Sequence, residues 1–209
     1  MNETLSVRNA DCLLLVTATY PAPGRLSLRY HVHNHGPLAL YLSTQLAPPT
    51  AGNGAAPPPP DPNQVHIQVE PASVHLDKAL MDLSFREDLR VLDIPYLTQV
   101  LPGHSFEQTL SLALPLHPYR VYGSRPGQAP PVALPLRFSL GYFKGEAGIT
   151  AGEPADGLPV GTYQVAPSQS RAQQVLTAGP FQEPVPVANA TPSAEPAPDA
   201  SPESWTPWG

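Results

Sequence analysis

Three histidines, His31, His33 and His35, recur at every second position in RLSLRYHVHNHGPLALYLSTQL, Arg25–Leu46. On a strand, side chains two apart share a face and lie about 7 Å apart at Cα, a spacing that metal sites use. These residues are therefore the candidate metal ligands. Three features weigh against that chemistry. Arg25 and Arg29 share the face and repel a cation. No Asp or Glu occurs in the twenty residues after His33. His35 falls in the turn Asn34-His35-Gly36-Pro37 and need not continue the face. A polar, solvent-facing strand surface is the plainer expectation.

Other catalytic frames are missing. No G-x-S-x-G elbow occurs, and Ala51-Gly-Asn-Gly54 lacks the Lys and helix of a phosphate loop. Asp82 with Glu87 or Asp88 belongs to no recognisable carboxylate pair. Cys12 is the single cysteine and lies in an apolar run, as a small buried hydrophobe does. No catalytic residue and no cofactor are expected, and the chain reads as a non-enzyme. Asn2-Glu3-Thr4 and Asn189-Ala190-Thr191 match the glycosylation pattern and are read as chance. The end of the chain is more telling. Both tryptophans, Trp205 and Trp208, fall in Ser204–Gly209, within a Pro- and acid-rich stretch. Trp is a frequent interface anchor, so these two are the candidate protein-binding residues.

The elements that must position these groups read as strands. In Arg25–Leu46, Leu26, Leu28, Tyr30 and Val32 face one way, and the arginines and histidines face the other. Leu38, Leu40 and Leu42 alternate after the turn, which either closes a hairpin or carries the chain between sheets. Upstream, Cys12, Leu14, Val16, Ala18 and Tyr20 form one face of an opening strand, and Pro21–Gly24 is a turn. Val65–Glu70 reads as a short strand. Ser73–Arg90 is open between a short helix, from Leu76, Ala79, Leu80 and Leu83, and an irregular crossover. Val91–Leu101 is strand-like, Pro102-Gly103 is a turn, and His104–Leu114 alternates with Phe106, Leu110, Leu112 and Leu114 inward. Val132–Phe143 is expected as the last core strand, with Pro135 marking an edge or a bulge.

About seven strands joined by Pro/Gly turns predict an all-β, two-sheet antiparallel sandwich. YHVHNHGPLALYL, a strand ending in Asn-x-Gly before a second apolar strand, carries a resemblance. So does QVLPGHSFEQTLSLAL, a Pro-Gly turn feeding a long alternating strand. In these motifs the chain resembles the immunoglobulin-like accessory domains of bacterial proteins. The resemblance implies an architecture and no activity, and the Cys…Trp…Cys signature of antibody-type domains is missing.

The chain has 209 residues, of which 30 are Pro and 15 are Gly. One domain at 1–143 is expected, with a Pro-rich loop at 47–63, a mobile extension at 144–187 that either adds an edge strand or lies along the sandwich, and a disordered Pro/Ala-rich acidic tail at 188–209. The net charge of −6 divides as −1 for residues 1–143 and −5 for 144–209. Neither part has the clustered basic surface that nucleic-acid binding needs. No apolar run reaches the roughly 20 residues that span a bilayer. A lone cysteine and an N-terminus without a signal-peptide pattern predict a cytoplasmic protein. The leading expectation is a protein-interaction or assembly module with an unidentified protein partner. The alternatives are a metal-binding or enzymatic sandwich using His31 and His33, and an exported carbohydrate- or surface-binding module exposing Tyr41, Tyr119 or Tyr122.

Overall fold

The computed structural model describes residues 2–46, 61–80, 95–118, 130–145, 149–151, 161–165 and 171–188. The described chain is all-β, with no α-helix. Its strands are β1 (Asn2–Arg8), β2 (Cys12–Ala22), β3 (Arg25–Asn34), β4 (Leu40–Gln45), β5 (His66–Glu70), β6 (Ser73–Lys78), β7 (Tyr96–Val100), β8 (Ser105–Ala113), β9 (Val132–Leu134), β10 (Leu136–Lys144), β11 (Ile149–Ala151), β12 (Thr162–Val165), β13 (Gln174–Ala178) and β14 (Val185–Val187). No helix among the described residues is long and apolar enough to cross a membrane.

The first sheet has the order β1-β2-β3-β8, antiparallel throughout. Alternation decides its two faces. Cys12, Leu14 and Val16 of β2 and Leu26, Leu28, Tyr30 and Val32 of β3 are fully buried. Leu13, Leu15, Thr17, Arg29, His31 and His33 turn to the opposite side. Gly24 and Gly103 close their turns at φ 74° and 75°, a conformation that a side chain disfavours.

The second sheet runs β11-β12-β7-β4-β10-β6-β5, with β13 also on β10. Phe138–Leu140 pair with both β6 and β13, and Tyr142 pairs with both Leu42 and Gln174. β13 therefore lies on one edge of β10, while β6 and β4 share the other. The β6–β10 pair is parallel, which departs from the all-antiparallel expectation. The inward residues of both sheets, among them Leu14, Tyr30, Leu42, Leu76, Phe138 and Leu176, form one hydrophobic core. Tyr30 stacks obliquely on Phe138 with ring centroids 5.1 Å apart, joining the two layers.

Two readings left open are decided, and one expectation is corrected. The turn after β3 makes no hairpin, because it carries the chain from the first sheet to the second. Asn34, fully buried, holds that crossing: Nδ2 donates to Leu38 O (2.8 Å) and Val100 O (2.9 Å), and Oδ1 accepts from Gly36 N (3.0 Å). The helical alternative for Ser73–Arg90 fails over 73–78, where Val74, Leu76 and Lys78 alternate inward on β6; residues 81–90 lie outside the described residues. The run from Val132 is two strands, because Pro135 has no N–H to donate. β9 joins β14 in a separate two-stranded sheet, while β10 enters the second sheet.

The stretch expected to be a mobile extension contributes more than an edge strand. β12 and β13 join the second sheet, and Leu176, Ala178, Phe181, Val185 and Val187 are buried in the main core. Val165 belongs to a small satellite core with Leu97 and Phe143. The core thus runs well past residue 143. The proline-rich residues 47–60 and the tail 189–209 lie outside the described residues.

Candidate functional site

The outer face of the first sheet holds the residues singled out for chemistry. Register sets them in rows across four strands. Ser6, Leu15, His31 and Glu107 form one row, and Thr4, Thr17, Arg29 and Thr109 the next. Thr4 and Thr17 share a hydroxyl hydrogen bond of 2.8 Å. Arg29 Nη2 lies 2.6 Å from Glu107 Oε2, an exposed ion pair that holds the Glu107 carboxyl below its ordinary range. A shallow hollow lies between Thr4, Leu15, Thr17, Arg29, His31 and Glu107.

The histidines do not converge. His31 sits over that hollow, with Nδ1 buried and lacking a hydrogen-bond partner among the described residues. His33 Nδ1 lies 3.0 Å from Ser105 Oγ. His35 has left the strand, and its Nε2 lies 3.1 Å from Asn9 O. Among the described residues, no three His, Cys, Asp or Glu side chains come together to hold a metal. Trp205 and Trp208 lie outside the described residues.

A second polar cluster, unforeseen from the sequence, lies on the second sheet. Ser73, His75 and Asp77 share a face of β6 because they are two residues apart. His75 Nε2 lies 3.1 Å from Ser73 Oγ and 3.1 Å from Glu70 Oε2. Both contacts use one ring nitrogen. A Ser–His–acid relay needs the serine on one nitrogen and the acid on the other, so this trio is not arranged as one. Asp77 is pushed above the usual carboxylate range by burial, which the hydrogen bond from Ser139 only partly offsets. The sequence signal was the alternation in Ser-Val-His-Leu-Asp following Glu70.

Two further groups are unusual. Lys78 is fully buried, and its Nζ donates to the carbonyls of Thr44 and Pro62, on either side of the proline-rich segment. Burial pulls it down to about 7, against a smaller opposing pull from Asp61. Elsewhere, Asp11 Oδ1 lies 2.9 Å from Lys144 Nζ, and Oδ2 lies 2.9 Å from the Tyr142 hydroxyl. Burial pushes the Cys12 thiol up to about 11, which removes it as a nucleophile near neutral pH.

The comparisons with protein-family models, curated proteins and solved structures find no match.

What these arrangements can do follows from their geometry. Among the described residues, the outer face of the first sheet is open, mixed in character and rich in hydroxyl, basic and aliphatic groups. On β4 and β10 of the second sheet, residues of both alternations are closed off: Ser43 and Phe143 are fully buried, as are their neighbours Leu42 and Tyr142.

Proposed function

We propose that the chain is a non-enzymatic protein-interaction module, built as an immunoglobulin-like β-sandwich. It meets its partner through the outer face of the first sheet, with Trp205 and Trp208 as a second contact. The observation that carries this reading is the difference between the sheets. Among the described residues, the first leaves Leu13, Leu15, Thr17 and His31 half-buried on an uncovered face, whereas the second buries Ser139 and Phe143 on the corresponding side. Half-exposed leucines among hydroxyls and a few charges suit a surface that is covered on association. The shared core of two facing sheets, with a chain crossing at Asn34, supports the immunoglobulin-like architecture.

The test is a pull-down from a source extract with the full chain, a Leu15→Arg/Thr17→Arg variant and a chain lacking residues 201–209. A partner held by the full chain is released by the double variant while its unfolding midpoint stays unchanged. A bound set unaffected by either alteration overturns the reading.

A second reading, a metal site using His31 and His33, is favoured by one observation, the Nδ1 of His31, which has no partner among the described residues, beside Glu107. It requires zinc retained after purification without chelator and lost in His31→Ala/His33→Ala.

A further inference from the structure

The outer face of the first sheet carries a charge opposite to that of the chain. Register and alternation bring Arg8 of β1 and Arg25 and Arg29 of β3 to this face, all three exposed. Among the described residues, the one carboxylate beside them is Glu107 of β8. With its histidines neutral the face is net +2, on a chain of net −6. Glu107 is engaged by Arg29 at 2.6 Å, so it offsets neither of the other two. Arg25 donates to the Ser111 hydroxyl at 3.1 Å. Neither Arg8 nor Arg25 has a carboxylate partner among the described residues.

The surroundings of these charges define what suits them. Arg8 is level with Leu13, and Leu15 lies in the next row; both leucines are half-buried on the strand between those of Arg8 and Arg25. His33, in the row of Arg8, stands eight residues along β3 from Arg25, about 27 Å in an extended strand. Three strand spacings make the face about 14 Å wide. A patch on the order of 400 Å² is about half of what each partner buries in a standard interface. That suits a short segment better than a second copy, which would also set arginine against arginine. Two guanidiniums at opposite ends, with Glu107 and two leucines between, do not make the clustered basic surface that a nucleic-acid backbone needs. At the centre, Nδ1 of His31 is buried without a partner among the described residues, and a polar group entering the hollow there satisfies it.

We propose that this face docks an acidic, extended segment of a partner protein. Carboxylates towards its two ends reach Arg8 and Arg25, and an apolar residue between them covers Leu13 and Leu15. The inference rests on the reading of this face as a partner surface and adds the partner's chemistry.

The full chain is tested on an array of immobilised peptides of graded charge, built from Glu, Lys, Leu, Thr and Ser. Each has about 12 residues, long enough to span the face when extended. The chain's net charge alone favours the basic peptides. Docking on this face reverses that order, so acidic peptides with a central leucine bind best. Raising NaCl from about 50 to about 300 mM weakens them at least about 5-fold. Arg8→Glu/Arg25→Glu weakens them at least about 10-fold with an unchanged unfolding midpoint. A preference for basic peptides overturns the proposal. So does tighter binding of a single-stranded oligonucleotide, which assigns the face to a phosphate backbone. Acidic peptides that bind only after residues 189–209 are deleted assign the face to the chain's own acidic end and overturn it too. In the pull-down, a partner released by Leu15→Arg/Thr17→Arg but held by Arg8→Glu/Arg25→Glu keeps the face as a partner surface and overturns only its acidic class.

Discussion

Lys78 Nζ donates to the carbonyl oxygen of Pro62 at 2.6 Å, holding the far side of the proline-rich segment against the end of β6. The backbone bridge between Leu46 and Asp61 closes the same base. A lysine pulled from its ordinary 10.5 down to about 7 binds its proton less readily folded than unfolded. Between those values the unfolded chain holds more protons, so stability rises with pH. The gain is on the order of a few kcal/mol over the whole window. Cys12 and Tyr142, both raised by burial, oppose it at higher pH, so pH 7 to 8.5 is the range to read. Denaturant titrations there show the wild type gaining stability and Lys78→Met losing that slope. A variant that keeps the slope assigns it to another group.

The Asp11 carboxylate gives the same sign of dependence in the acid range. Burial raises it, but the bonds from Lys144 and Tyr142 outweigh burial and hold it below the usual 3.8. Its contribution is present above the ordinary value and is lost as pH falls through the depressed one. Tyr142→Phe removes a hydroxyl that also serves Asn9 and Gln174. It costs about 1–3 kcal/mol near neutral pH and raises the midpoint of acid unfolding. Circular dichroism against pH measures both.

Asn34→Ala leaves the carbonyls of Leu38 and Val100 without their side-chain donor at the crossing between sheets. The expected loss is about 2–3 kcal/mol, from two backbone acceptors stranded near the core. Asn34→Asp restores only the acceptor to Gly36 N and recovers little. Urea unfolding midpoints distinguish the two variants.

Gly141 has no room for a side chain. A Cβ there would come 2.5 Å from Gln173 Oε1 and 3.0 Å from Ala79 Cα. Gln173 cannot swing clear at no cost, since it accepts from Leu80 N and donates to Leu80 O. Gly141→Ala is expected to destabilise by about 1–3 kcal/mol. Adding Gln173→Ala relieves the contact, so the double variant is less damaged than the two single losses summed. A double-mutant cycle showing strict additivity refutes this account.

Local pattern determined a good deal of this protein. Period-two alternation placed Leu26, Leu28, Tyr30 and Val32 inside and Arg29, His31 and His33 outside, because a strand's pleat alone decides which side chains share a face. Pro23-Gly24 and Pro102-Gly103 announced their turns through the φ values that proline fixes and glycine tolerates. Pairing across the chain lay beyond such reasoning. The partners of Lys78 are 34 and 16 residues away, and a lysine at a strand's end reads as surface until a second carbonyl is brought over it. Residues 162–188 have short, Pro- and Gly-interrupted apolar runs, and of these 174–178 entered the core because β10 had an open edge that β13 filled. The histidine row was visible in the sequence, but whether His31, His33 and His35 meet was settled by the crossing at Asn34. It turns His35 back onto Asn9, whereas the strand keeps the other two on its outer face. A sequence states which side chains share a side of one strand. Only the tertiary structure decides which strands, and so which chemistry, become neighbours.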